Sequence, residues 1–460
     1  MTPPSPRPLP RALRRLLVPV LGVALAVSAA LGVPTGAHAA GDRNVATPGN
    51  FTGYGFDQCL APSQQAMNTW LVHSPFLAVG IYISGASRAC RDQPNLTPEW
   101  ISTQLAKGWR LLPITLGPQA SCNPRFPRYD NDRTISPKQG DNGGYPTARK
   151  QGTREADKAV AAAKALGLVR RSTLWYDIEA FDTSKRHCRE SALVFLSAWT
   201  TRLHEVGWVS GVYSSASSGI KMLDDARVNR PDRFTMPDRV WLARWDGMAD
   251  TSSSYVRDDG WLPGGRVKQY QGGHNETWGG VTINIDRNFL DLGKGSWAAP
   301  ETHCVTARIP DGVQVDLRDY RPITTQYAGV RRVTALQCQL REVGLYTGRL
   351  SGVYNDRTRA AAQVWQDHHG LQVGDRWTRT AWQTLLARGP GKLVKYGSAG
   401  ADVRRLQRGL NASGAGLPVT GVFGGATDQA LRAWQRAVPG VPVSGVASAT
   451  TWQALRAGKS

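Results

Sequence analysis

The sequence predicts an α/β fold, a closed (β/α)8 TIM-like barrel followed by a tandem of small helical units. Three observations predict it. Between residues 50 and 292, short apolar runs alternate with amphipathic helical stretches, the pattern of a parallel sheet. Eight such runs fall within this stretch, and eight strands in roughly 250 residues suit a closed barrel better than an open doubly wound sheet. Beyond residue 302 the chain matches itself at offsets of 69–70 residues, which marks stacked repeats.

The predicted strands are 53–57, 77–83, 111–116, 173–179, 210–213, 240–243, 267–270 and 281–286. Helical stretches such as 62–70, 98–107, 154–166 and 189–206 intervene. Pro62 and Pro98 are read as first-turn prolines, where the missing N–H costs nothing. The segment 123–152, rich in Pro, Asp, Asn and Gly, reads as a long loop after the third strand. In a barrel it would lie on the face where substrate loops gather. A boundary follows at 293–302, where Gly, Ser, Ala and Pro cluster.

Chemistry concentrates at strand ends. In Trp175-Tyr176-Asp177-Ile178-Glu179-Ala180 two acids stand one residue apart at the end of an apolar strand. A side-chain period of two sends both to one side, with α-carbons roughly 6–7 Å apart. That spacing lets a carboxyl pair flank one glycosidic bond. Asp57 ends the first predicted strand and Asp286 the eighth, and these strands are neighbours in a closed barrel. Four acids at one mouth suit glycoside hydrolysis, which needs one carboxyl kept protonated and another ionised. Among aromatics near strand ends, Tyr82, Tyr213, Trp245 and Tyr270 are candidates to stack on sugar faces, whereas most of the 16 Trp read as core. His187 and His204 lie in or beside a helix and are assigned no catalytic role.

Lys and Arg total 56 against 35 Asp and Glu, a formal charge of +21. The basic residues are scattered, with no polybasic tract beyond the N-terminus, which leaves nucleic acid and an anionic extracellular polymer as alternative partners, and the N-terminus decides for the second. Arg7, Arg11, Arg14 and Arg15, then the apolar stretch 16–33, then Ala37-His38-Ala39, describe an export signal spanning 1–40. Arg14-Arg15 leaves twin-arginine export open. Six cysteines in an exported chain imply disulfides. Cys304 and Cys338 are expected to pair, while Cys59, Cys90, Cys122 and Cys188 allow three connectivities. No C-x-x-C and no ligand spacing among the eight His point to a metal, and no cofactor is expected.

In the tail, Val333-Thr334-Ala335-Leu336-Gln337 matches Val403-Arg404-Arg405-Leu406-Gln407, and Gly352-Val353-Tyr354 matches Gly421-Val422-Phe423. Val364-Trp365-Gln366 likewise matches Ala433-Trp434-Gln435, and Thr380-Ala381-Trp382 matches Thr450-Thr451-Trp452. The residues Gly55-Phe56-Asp57, Val79-Gly80-Ile81-Tyr82-Ile83, Gln119-Ala120-Ser121-Cys122, Asp177-Ile178-Glu179 and Gly211-Val212-Tyr213-Ser214-Ser215 resemble the bacterial glycoside-hydrolase-like domain family, similar in fold to the lysozymes of glycoside hydrolase family 25. The tail resembles tandem three-helix peptidoglycan-binding domains, whose signature is echoed in the run from Gly397 to Gln407. The first copy departs from it, with Gln326-Tyr327-Ala328-Gly329-Val330 where the glycines belong.

The domains expected are a signal at 1–40, a barrel at 41–295, and binding modules at 303–390 and 391–460. The resemblance implies that Glu179 is the general acid, that Asp177 stabilises positive charge directly or through the substrate's N-acetyl group, and that Asp57 and Asp286 order the site. The expected protein is a secreted or wall-associated monomer that cleaves peptidoglycan or a related wall glycan. It engages no nucleic acid and makes no stable membrane insertion after signal cleavage. The alternative is a wall-binding or wall-remodelling protein whose barrel recognises glycan without cleaving it.

Overall fold

The computed structural model describes residues 44–124, 131–305 and 315–460. The expected signal segment and part of the loop after the third strand lie outside the described residues. No helix among the described residues is long and apolar enough to cross a membrane.

Eight strands close into a barrel in chain order. They are β1 (Phe51–Asp57), β2 (Ala78–Ser84), β3 (Arg110–Thr115), β4 (Thr173–Asp177), β5 (Val209–Ser215), β6 (Arg239–Ala243), β7 (Gly265–Trp278) and β8 (Val281–Leu292). The helices α1 (Gln64–His73), α2 (Pro98–Ala106), α3 (Pro146–Ala165), α4 (Arg186–Glu205) and α5 (Lys221–Asn229) follow the first five strands. Pairing is parallel from β1 through β7. The eighth strand departs from the all-parallel expectation, because β8 runs antiparallel to both β7 and β1. Gly279 and Gly280, both at positive φ, turn the chain directly from β7 into β8, so no helix separates them. Two-glycine turns between strand-forming runs favour such hairpins.

Two boundaries differ from expectation for local reasons. The N-cap of α1 is Ser63, whose hydroxyl accepts from Ala66 N, so Pro62 precedes the helix. Pro98 does open α2, after the Thr97 cap. Helix α3 starts at Pro146, inside the segment read as loop, and its buried small residues Ala148, Gly152, Ala156, Ala159 and Ala163 recur at helical spacing.

The barrel interior is filled from below by Phe51, Leu77, Leu112, Trp175, Trp241, Val267, Leu290 and Leu292. Trp175 and Trp241 meet edge to face with ring centroids 5.6 Å apart. Their bulk demands glycine at 211, where a Cβ would lie 2.3 Å from the Trp175 ring. A second apolar layer joins the outer faces of the strands to α1–α5, with Phe56, Trp70, Phe76, Trp109, Tyr176 and Trp199 among its fully buried rings. Disulfides Cys59–Cys90 and Cys122–Cys188 settle the connectivity left open by the sequence. The second ties the loop after β3 to α4.

The tail forms two three-helix units, α6 (Val330–Glu342), α7 (Asp356–His368) and α8 (Arg379–Leu386), then α9 (Ala401–Ala412), α10 (Gly425–Ala437) and α11 (Ala449–Arg456). Each has its own apolar core, and Leu336, Leu340, Trp365, Trp382 and Leu385 lie in the first. The repeated glutamines are buried keystones. Gln337 accepts from Gly352 N and donates to Ser351, Val353 O and Thr358, while Gln407 accepts from Gly421 N and donates to Thr420, Val422 O and Thr427. Each amide thus satisfies a whole turn from inside, the condition on which burying polar groups rests. The expected Cys304–Cys338 disulfide is present and fixes the incoming chain to α6.

That incoming chain is also held by charge. His303 Nδ1 lies 2.8 Å from Glu342 and its Nε2 lies 3.2 Å from Glu301. Glu301 in turn lies 2.6 Å from Arg408 of α9. The contacts with Glu301 and Glu342 raise the imidazole from 6.5 to about 9 against the cost of its burial. Burial would raise Glu301, but His303 and Arg408 outweigh it and bring that carboxyl down to about 2. A base bound more tightly to its proton in the folded state stabilises the fold fully below 6.5, and that stabilisation is lost as pH rises through 9. The melting temperature of the wild type is therefore expected to fall across this window more than that of His303→Gln. Parallel melting curves for the two proteins would count against the clamp.

Candidate active site

Asp57 closes β1 and lies opposite Asp286 of β8 in the strand register. Asp57 is 4 % exposed. Its Oδ2 accepts Asn288 Nδ2 at 2.7 Å and Gln269 Nε2 at 3.2 Å. Because β8 runs back down the barrel, Asp286 sits in mid-strand rather than at a strand end. The antiparallel register still brings it level with the end of β1. Burial first, and the Asp286 carboxyl second, push the Asp57 carboxyl well above the usual carboxylate range. Burial, together with the charge of Glu179, lifts Asp286 to about 6, even after its hydrogen bond with Asp57.

Asp177 ends β4, 2 % exposed, and its Oδ2 accepts Tyr82 Oη at 3.3 Å. Glu179 lies two residues past the strand, not within it as expected, and is half-buried. The bend between them is held by Gln119, whose Nε2 donates to Asp177 O at 2.8 Å and whose Oε1 accepts Glu179 N at 2.8 Å. Ile178 N donates to Tyr213 O at 3.0 Å, which continues the β4–β5 ladder one residue beyond the strand. One buried glutamine therefore sets where both carboxylates leave the backbone.

The four acids share one electrostatic neighbourhood. Burial raises the Tyr82 phenol well above its ordinary value, reinforced by Asp177, Asp57, Tyr213 and Glu179. Burial does the same at Tyr213, reinforced by Glu179, Asp177, Asp57 and Asp286. Both phenols thus remain protonated donors facing a cluster of carboxyls.

Of the four aromatic candidates, three lie at the mouth. Tyr213 Oη donates to Gln269 Oε1 at 3.0 Å, and Trp245 Nε1 donates to the same oxygen at 2.9 Å. Trp245 is 67 % exposed. Its ring rests on Gly272, where a Cβ would come within 2.6 Å of it, so only glycine lets the indole lie this close. Tyr270 lies apart. Strand β7 continues to Trp278, and with Gln269 facing the acids its neighbour Tyr270 turns to the outer wall. There it lines a cavity of about 370 Å³ with Tyr54, Arg287, Tyr396 and Arg432. Its phenol is pushed up to about 12, chiefly by burial.

Gln119, Gln269 and Asn288 are not among the site residues the sequence predicts. A lumen-facing period of two on β7 and β8, Val267–Gln269 and Asp286–Asn288, carries the signal for two of them.

Comparison with known proteins places two kinds of family along the chain. Residues 68–290 match the family model of the Rv2525c-like, glycoside hydrolase-like domain. Residues 331–384 and 399–455 each match that of a peptidoglycan binding domain. No curated protein matches the chain. Among solved structures, an uncharacterized protein of B. stearothermophilus is 18 % identical, covering 52 % of this chain and 95 % of its own, with a TM-score of 0.34. The Tat-secreted protein Rv2525c of Mycobacterium tuberculosis, in complex with L-tartrate, is 13 % identical over 53 % of this chain and 98 % of its own, with a TM-score of 0.35. A family 25 glycosyl hydrolase from Bacillus anthracis is 13 % identical over 52 % and 89 %, with a TM-score of 0.31.

Proposed function

We propose that this chain, which carries an Rv2525c-like glycoside hydrolase-like domain and two peptidoglycan-binding modules, is an exported hydrolase of peptidoglycan or a closely related wall glycan. The observation that carries the reading is the meeting of Asp57, Asp177, Glu179 and Asp286 beside two protonated phenols at one barrel mouth. Glu179 is assigned the general acid, because it is half-buried, as Asp286 is, and alone of the four stands beyond its strand. Asp177, oriented by Tyr82, is assigned to stabilise the positive charge that develops at the sugar ring, directly or through the substrate's N-acetyl group. The exposed face of Trp245 offers a platform for a sugar ring, with Tyr82 and Tyr213 beside it.

Tethering by the two modules would raise the local concentration of glycan without a tight active site. The test has two arms. Full-length protein incubated with purified wall glycan should release reducing ends, and residues 316–459 alone should co-sediment with the insoluble wall. Binding should weaken with added salt if Lys and Arg meet anionic polymer, since exposed charges are screened beyond about 8–10 Å. Co-sedimentation without any release of reducing ends would make the barrel a glycan-recognising domain instead. A tail that stays in solution, with and without anionic wall polymers, would remove the tether.

A further inference from the structure

Two side-chain amides converge on a single oxygen, and neither amide is free to turn round. Asn288 Oδ1 accepts the Trp241 indole N–H at 2.8 Å. Gln269 Oε1 accepts the Trp245 indole N–H at 2.9 Å and the Tyr213 hydroxyl at 3.0 Å. An indole N–H can only donate, so in each amide the group facing it must be the oxygen. Both NH2 groups are then committed to the opposite side, where both reach Asp57 Oδ2, at 2.7 and 3.2 Å. An oxygen receiving two N–H donors has no place for a proton of its own.

Asp286, the register partner of Asp57 across β1 and β8, hydrogen-bonds its carboxyl. Two carboxylates this close cannot both ionise cheaply, and one proton shared between them removes the conflict. Asp177 and Glu179 approach from the β4 end, Tyr82 from β2 and Tyr213 from β5, so the acids of the neighbouring elements add negative charge. We infer that Asp57 and Asp286 share one proton, and that Gln269 and Asn288 are positioning residues that close Asp57 Oδ2 to it and so direct it to the other Asp57 oxygen, facing Asp286. Burial and neighbouring carboxyls make both groups weaker acids than usual, Asp286 to about 6 and Asp57 well above the ordinary carboxylate range, in agreement with one retained proton. The pair is a coupled unit, so its titration belongs to both groups together. It brings one negative charge into the mouth rather than two. Its use in glycan cleavage rests on the function proposed above, but the protonation state does not.

The experiment is infrared spectroscopy of full-length protein labelled with carboxyl-13C aspartate, at pH 7.5. Wild type should show the C=O band of a protonated carboxyl, and Asp57→Asn and Asp286→Asn should each lose it. In the protonated form Asp57 Oδ2 is the carbonyl oxygen, so removing its donors in Gln269→Leu or Asn288→Leu should move the band to higher wavenumber. The same variants should move its disappearance to higher pH, because N–H donors favour the ionised form. Should either variant fold poorly, Trp245→Phe with Tyr213→Phe releases the Gln269 amide while sparing Asn288, and should broaden or shift the band. A wild type without the band, a band that survives in both Asn variants, or a band unmoved when the amides are altered would overturn the inference. Because the band is read without turnover, an inactive barrel would leave this test intact.

Discussion

Glu179→Gln is expected to lower the release of reducing ends from purified wall glycan by about 10²–10⁴-fold, the range over which a general acid contributes. Glutamine keeps the size and the backbone N–H that Gln119 holds, but has no proton to give to a leaving oxygen. Co-sedimentation with the wall should be unchanged, since the proposed function assigns it to the modules. A second readout needs no turnover. The charge of Glu179 is one of the causes that lift Asp286 to about 6, so removing that charge should move the Asp286 titration to lower pH. Carbon-detected NMR of the aspartate carboxyls would follow it. Retained activity in Glu179→Gln with a lowered Asp286 titration would show that Glu179 belongs to the cluster but is not the acid.

The acid cluster was legible because strand ends declare themselves. An apolar run that stops at an acid reads as a barrel strand reaching the mouth, and Asp57 and Asp177 lie where that reading puts them. Asp286 reached the same level by a different route. The helical alternation stops after β6, and Trp278-Gly279-Gly280-Val281 is a hairpin signal. Reading the eighth run as one more parallel strand overlooked both facts. The same oversight cut β7 short at Tyr270 and aimed that side chain at the mouth, whereas the long hairpin sends it outward. Gln269 and Asn288 were harder to see, because a polar residue inside a strand run looks like an imperfection of the pattern. Only the third dimension shows that each amide joins an aromatic donor to Asp57.

The repeats were legible for the opposite reason. Each small unit needs the same buried positions, so Gln337 and Gln407 recur with their turns at nearly the same spacing. What repetition conceals is the surface where one copy differs from the other. The outer wall of β7, β8 and β1 has no helix following β7 to cover it. The second unit lies there instead, with Tyr396 edge-on to Tyr54 at 4.9 Å and to Phe289 at 6.1 Å. Ser296 Oγ donates to Gly397 O at 2.6 Å and seals the lower edge. A local pattern reports only which residues are apolar, and nothing in it says that Tyr396 serves the barrel.

Lys395→Ala is expected to destabilise the full-length protein by about 2–4 kcal/mol, the scale of two lost hydrogen bonds with their acceptors left buried. The lysine is 0 % exposed. Its Nζ donates to Leu71 O at 2.6 Å and to Ser74 O at 3.0 Å, and sits 5.2 Å from the centre of the Trp109 ring. Those carbonyls end α1, where unpaired C=O groups and the helix dipole favour a cation. The second unit thus caps a barrel helix, and losing the cap should loosen the unit from the barrel wall. Lys395→Met separates the causes, since it keeps the apolar stem but donates nothing, and should recover part of the loss. Burial also drives the ammonium well below the ordinary lysine range. An unfolded lysine holds its proton to about 10.4, so the unfolded state binds more protons as that value is approached and stability should rise with pH. This slope is opposite in sign to that of His303 and should vanish in Lys395→Met. Urea unfolding across pH, read beside limited proteolysis of the segment joining α8 to α9, measures both effects. Wild-type stability in Lys395→Ala, with that segment still resistant, would mean that the second unit is held to the barrel by its aromatic contacts alone.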